Sequence, residues 1–132
     1  MIDYSAIEAE LKTALSTVTK FKTVETGHIR ENVAVGQMPA LDISATGHTY
    51  DYYDRDARYK VDIFAVVRKS GFDRADNANE FKVLIENVCT ILETLTGTSF
   101  SVIRDIKTDI QETESGNSSV VRIGAVQFST WA

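Results

Sequence analysis

Between Arg74 and Leu95 the chain carries an apolar stripe too broad for a helix that faces water. Ala78, Phe81, Ile85, Val88, Leu92 and Leu95 follow one another in steps of three and four, and Leu84 and Ile91 widen the stripe. Asp73 is the expected N-cap and Gly97 the expected C-terminal stop. A helix of about 22 residues is roughly 33 Å long, enough to cross a small domain. So wide an apolar face must lie flat on a sheet or on another subunit. Cys89, the one cysteine, falls inside this stripe and reads as a buried structural thiol, so no disulfide is expected.

The flanking sequence supplies such a sheet. Tyr59 to Arg68 alternates, with Tyr59, Val61, Ile63, Ala65 and Val67 on one face and Lys60, Asp62 and Arg68 on the other. Ala40 to Ala45 alternates likewise through Leu41 and Ile43, so the two form an antiparallel hairpin, with Thr46 to Arg58 read as a long polar connection. A second hairpin closes the chain. Its first strand carries Val102, Ile106 and Ile110 on one face, its tip is the polar run Glu112 to Ser119, and its last strand is Val120 to Thr130. That last strand is apolar on both faces, through Val120, Val126 and Phe128 on one and Val121, Ile123 and Ala125 on the other. It is expected to be buried on two sides or to meet a neighbour.

Ahead of the hairpins stands an amphipathic helix, Ser5 to Val18, with Ile7, Leu11, Ala14, Leu15 and Val18 on one face and Ser5 and Glu8 at capping-box spacing. Lys22 to Thr26 is β-like and Val33 to Val35 weakly apolar, and the number of strands between Phe21 and Gln37 stays open. The fold class is therefore α+β: an antiparallel-rich sheet of two hairpins, packed by the N-terminal helix and one long central helix. At 132 residues and 43% hydrophobic, the chain is expected to make a single domain, residues 1–132, with its own core.

Composition narrows the function. With 14 Lys+Arg against 19 Asp+Glu the net charge is −5, the wrong sign for gripping phosphate backbones, so no nucleic-acid partner is expected. No apolar run is long enough to span a membrane and the first residues do not read as a secretory signal, which leaves a soluble protein made in a cytoplasm as the expectation. The seven scattered glycines form no phosphate-cradling loop, and G-x-S-x-G is absent. His28, His48 and Cys89 do not stand at zinc-ligand spacing. No enzymatic activity, metal or cofactor is expected.

The most unusual segment is Tyr50-Asp-Tyr-Tyr-Asp-Arg-Asp56, three aromatics interleaved with three acids and an arginine. As a calcium loop it fails, because Asp51, Asp54 and Asp56 miss the 1, 3, 5 spacing. As a small ligand-binding or hydrolase site it offers these carboxylates near His48, a pairing any acidic loop could supply. As a protein-contact loop it presents the residue types that dominate interface energetics. The structural reading is that Tyr50 and Tyr52 merely begin a strand and alternate inward, with the acids solvated. Contact loop and strand both stay open. The contact residues would be Tyr50, Tyr52, Tyr53, Asp54, Arg55, Asp56 and Arg58. Arg68 and Arg74, flanking a turn expected at Ser70-Gly71, would join them in inter-subunit ion pairs.

The element order also resembles a known family. An amphipathic helix is followed by the strand in MPALDISATG (Met38 to Gly47), the strand in YKVDIFAVVRKSG (Tyr59 to Gly71), the helix in NEFKVLIENVCTILETL (Asn79 to Leu95) and the hairpin closed by VVRIGAVQFST (Val120 to Thr130). Over nearly the whole chain this order is similar to that of tail terminator and related tail-completion proteins of long-tailed bacteriophages. The resemblance implies a structural virion protein in the tail, assembled in the host cytoplasm. It would form a ring, commonly a hexamer, that caps the tail tube, ends its polymerisation and meets the head-tail connector. Its partners would be itself, the tail tube protein and a connector or neck protein. Neck and other minor tail proteins share similar element orders. A further alternative is a host regulatory interaction module.

Overall fold

The computed structural model describes residues 2–18, 20–53, 55–72, 74–116 and 119–132. Two helices, α1 (Tyr4–Leu15) and α2 (Ala75–Thr94), pack on one five-stranded sheet of β1 (Thr23–Thr26), β2 (Ala40–Tyr53), β3 (Asp56–Phe72), β4 (Ile103–Gly116) and β5 (Ser119–Trp131), with a short 3-10 turn at Val35–Gln37. The sheet order is β1-β2-β3-β5-β4. Every pairing is antiparallel except β1 with β2, so the sheet is mixed.

The broad stripe of α2 finds the partner it requires. Phe81, Leu84, Ile85, Val88 and Leu92 are buried against the sheet face formed by Val61, Ile63, Ala65, Val67, Val126 and Phe128. Contact is so close at Gly124 that a Cβ there would collide with Ile85 Cδ1 and stand 3.0 Å from Phe81 Cζ. α1 adds Ile7, Leu11 and Leu15 to the same cluster beside Leu41 and Ile43. The closing strand β5 is central, between β3 and β4. Val120, Val126 and Phe128 are buried, while Val121, Ile123 and Ala125 on the opposite face are half-buried.

Several expectations are corrected. α1 is capped by Asp3, whose carboxylate accepts from the Ala6 amide, not by a Ser5–Glu8 box. Glu8 is buried and accepts instead from the amide of Ala45 in β2, at 3.0 Å. α1 also stops at Leu15, short of Val18, which is nonetheless buried. Arg74 occupies the N-cap of α2; Asp73 lies outside the described residues. The weakly apolar stretch from Val33 to Val35 makes no strand: the chain after β1 is irregular up to the 3-10 turn that begins at Val35.

The largest correction concerns the connection expected at Thr46 to Arg58. Apart from one bulge, β2 and β3 stay paired as far as Tyr53↔Asp56, so the connection is far shorter than expected, with Arg55 in it. At the other end Ser70 and Gly71 belong to β3 and are no turn. In β4 the register shifts between Arg104 and Lys107, where Asp105 has φ of 59°. The facing shifts with it, so that Ile103 rather than Val102 is the buried residue ahead of Ile106.

Candidate functional site

Two features of the β2–β3 hairpin set its two halves apart. In the lower half Asp42, fully buried, accepts from two guanidiniums: Arg30 Nε at 2.7 Å and Arg68 Nη1 at 2.6 Å. Arg68 also donates to the Arg30 carbonyl at 2.6 Å, and Arg30 reaches Thr23 Oγ1 at 3.3 Å. A buried carboxylate requires such partners, and here they tie the segment after β1 to the middle of the sheet. Arg68 is therefore a buried structural residue held inside its own chain, not an exposed group flanking a turn.

The upper half runs past its neighbours. β1 stops pairing at Thr26↔Ile43, and β5 stops at Lys60↔Trp131. Beyond that level residues 50–53 and 56–59 form a two-stranded arm that reaches roughly 15 Å farther, at about 3.3 Å per residue. A bulge sets its chemistry. Thr46 is extra between Ala45↔Ile63 and Gly47↔Asp62, so the odd-numbered facing of Leu41 and Ile43 passes to even numbers above it. His48 then lies opposite Val61, Tyr50 opposite Tyr59 and Tyr52 opposite Ala57, all on the face that continues the helix-covered core.

These aromatics form a ladder. The Tyr4 hydroxyl, at the start of α1, hydrogen-bonds His48 Nδ1; His48 meets Tyr59 edge-on at 5.5 Å; Tyr59 and Tyr50 stand 5.3 Å apart. α1 begins at Tyr4, and the ladder above it is open to solvent: Tyr50 is 68% exposed and Tyr52 73%. The strand reading is thus correct in pairing and wrong in facing inward, since the tyrosines stand in solvent on an arm. Asp51 and Asp56 are exposed; Asp51 accepts from the Tyr52 amide and Asp56 lies 4.0 Å from Arg58. Arg55 holds the turn with φ of 72°. The Tyr53 side chain and Asp54 lie outside the described residues.

Arg74 belongs to another place. It sits at the far end of β3, with its guanidinium 5.3 Å from the ring of Phe72, which is 60% exposed. The structure thus brings together Tyr50, Tyr52, Arg55, Asp56 and Arg58, and separates them from Arg68 and Arg74. Tyr4, His48 and Tyr59 join the ladder without having been singled out as contact residues by the sequence. The one available signal is the alternation His48, Tyr50, Tyr52, which continues the strand past Ala45.

Among the described residues the arm's carboxylates, Asp51 and Asp56, do not converge with His48 on a common point, because both lie on the face opposite the tyrosines. Among the described residues no group of three or more His, Cys, Asp or Glu side chains could hold a metal ion, and no helix is long and apolar enough to cross a membrane. Cys89 is half-buried, and burial, followed by the nearby charge of Glu93, raises its thiol's pKa.

A separate cleft of about 500 Å³ opens on the helix layer, lined by Glu10, Thr13 and Ala14 of α1 and by residues 95–98 and Phe100 after α2. Glu10 organises its wall. Its carboxylate accepts from the Thr98 hydroxyl, from the Thr98 amide at 2.8 Å and from the Ser99 amide at 2.9 Å. These bonds, the Thr98 hydroxyl first, hold its pKa below the usual carboxylate value.

No family model matches the chain. No curated protein matches it either. Among solved structures it is similar to a chain in the virion of a native gene transfer agent particle, with a TM-score of 0.51, 9% sequence identity, and 96% of this chain and 95% of that chain covered. At that identity the likeness shows a shared fold.

Proposed function

We propose that this protein is a structural component of a phage-type virion, a tail-terminator-like single domain that assembles as a ring on the end of the tail tube. The observation that carries the reading is the end-to-end fold likeness to a virion chain, which agrees with the tail-terminator resemblance of the element order. The arm supports it. A ring is built from head-to-tail contacts, and an exposed aromatic projection with arginine at its tip is the kind of surface that such contacts bury. The net charge of −5 suits a collar through which DNA passes without being held. No catalytic step is assigned to it.

The test is native mass by light scattering over a concentration series, with and without purified tail tubes, followed by imaging of tube ends. A discrete ring-sized species, or capture on tube ends, is expected. A monomer that ignores tubes at every concentration overturns the reading. Capture by connector complexes but not by tubes would move the protein to the neck.

A further inference from the structure

We propose that the cleft between α1 and the segment after α2 receives the β2–β3 arm of a second copy, so that each chain gives an arm to one neighbour and takes an arm from the other. This rests on the ring reading and names the two surfaces that would meet.

The first argument is shape. The chain has an apolar projection, Tyr50 and Tyr52, and an open concavity whose apolar part is lined by Ala14, Leu95 and Phe100; its volume of about 500 Å³ lies in the range of ligand-sized sites. Thr13 and Thr96 on its rim are exposed and offer hydroxyl partners to tyrosine phenols.

The second argument is direction. Tyr4 meets His48 and Glu8 meets Ala45, so α1 runs antiparallel to β2. The arm leaves the body on one side of Tyr4, and Glu10, Thr13 and Ala14 follow on the other. A chain's own arm points away from its own cleft. A knob and a socket that cannot meet within one copy can meet only between copies, and pairing them head to tail is the type of contact that closes into rings.

Charge is the third argument. α2 has no basic residue in its last turn to offset the negative end of its dipole, and Glu93 adds a carboxylate beside Leu95. Arg55 is exposed at the arm's turn and brings the missing cation.

Two variants test the contact. Tyr50→Ser with Tyr52→Ser removes the knob and leaves the cleft; Thr13→Arg with Thr96→Arg fills the cleft at exposed positions and leaves the arm. Each alone is expected to weaken self-association by roughly tenfold to hundredfold, read by light scattering. Mixed, they retain one good interface between them, and a 1:1 complex that grows no further is the expected product. A cleft variant that assembles like the wild type overturns the inference while the ring reading stands, with the Phe72–Arg74 surface as the next place to look. A mixture that stays monomeric overturns it as well. Wild type that is monomeric throughout, with and without tubes, overturns both. Should either variant lose its far-UV circular dichroism, Tyr52→Cys with Thr96→Cys in a Cys89→Ser background replaces it. An inter-chain disulfide under mild oxidation supports the contact, and its absence overturns it.

Discussion

The lower and upper halves of the β2–β3 hairpin are built by the same backbone ladder and come to opposite ends. Below the Thr46 bulge the polar groups are satisfied inside the chain: Asp42 holds Arg30 and Arg68, and Leu41 and Ile43 are covered by α1. Above it the aromatic face has no such cover, and Tyr50 and Tyr52 stand in solvent. The ladder supplies pairing in both halves. What differs is whether a helix lies over the strands, and α1 ends its cover at Tyr4. Substitutions below the bulge should therefore cost stability, and, on the proposed ring reading, substitutions above it should cost assembly instead.

The strongest way to break that contrast is Asp42→Ala. It leaves two guanidiniums facing each other at a buried site, and unfolding in urea is expected to show a loss of about 3–5 kcal/mol. A loss below about 1 kcal/mol would mean that Arg30 and Arg68 find water, and that the lower half is more open than its burial implies. Gly124→Val follows. A Cβ at that position already collides with Ile85 and crowds Phe81, so the substitution pushes α2 off the sheet. The expected cost is about 1–3 kcal/mol, measured the same way.

A smaller, pH-dependent effect belongs to Glu10. Its folded pKa lies below the unfolded value of 4.5, so its contribution is fully present above pH 4.5 and fades as pH falls through the folded value. The urea midpoint of wild type relative to Glu10→Gln is expected to be flat above pH 4.5 and to shrink below it. A difference that grows on acidification would show that the Thr98 and Ser99 bonds do not govern that carboxylate. Smallest of all is Tyr52→Ser, expected to leave stability within about 0.5 kcal/mol because the side chain touches so little of its own chain. A clear drop in thermal midpoint would place Tyr52 in the body's energetics and erase the contrast between the halves.

Much of the body is legible in the sequence because its periodicities are unbroken. The stripe of α2 and the alternation of Tyr59 to Arg68 each point to one partner, and the α+β class follows. The arm is not legible, for two local reasons. Its turn uses Arg55 at positive φ where hairpin signals look for Gly or Asn, so Thr46 to Arg58 reads as a loop. The bulge at Thr46 also exchanges the two faces of β2, and nothing in an alternating sequence marks where the phase slips. The same kind of slip near Asp105 interchanges Val102 and Ile103. Tertiary demand redirects Glu8 as well: a residue at capping-box spacing serves a strand instead, because the amide of Ala45 lies beyond the reach of β1 and needs an acceptor.

The bond from Ala45 to Glu8 also bears on solubility. An unpaired strand edge is a template on which further chains can add without limit, and β2 above Ile43 would present one from the sheet out to the tip of the arm. The Glu8 carboxylate closes the edge at Ala45 with a negative charge, where an incoming strand would need the same amide. It divides the edge into a segment occupied by β1 and a short free segment on the arm. Growth by fibrous strand addition is thereby obstructed at the root of the arm, and the tip stays free for a contact of finite size.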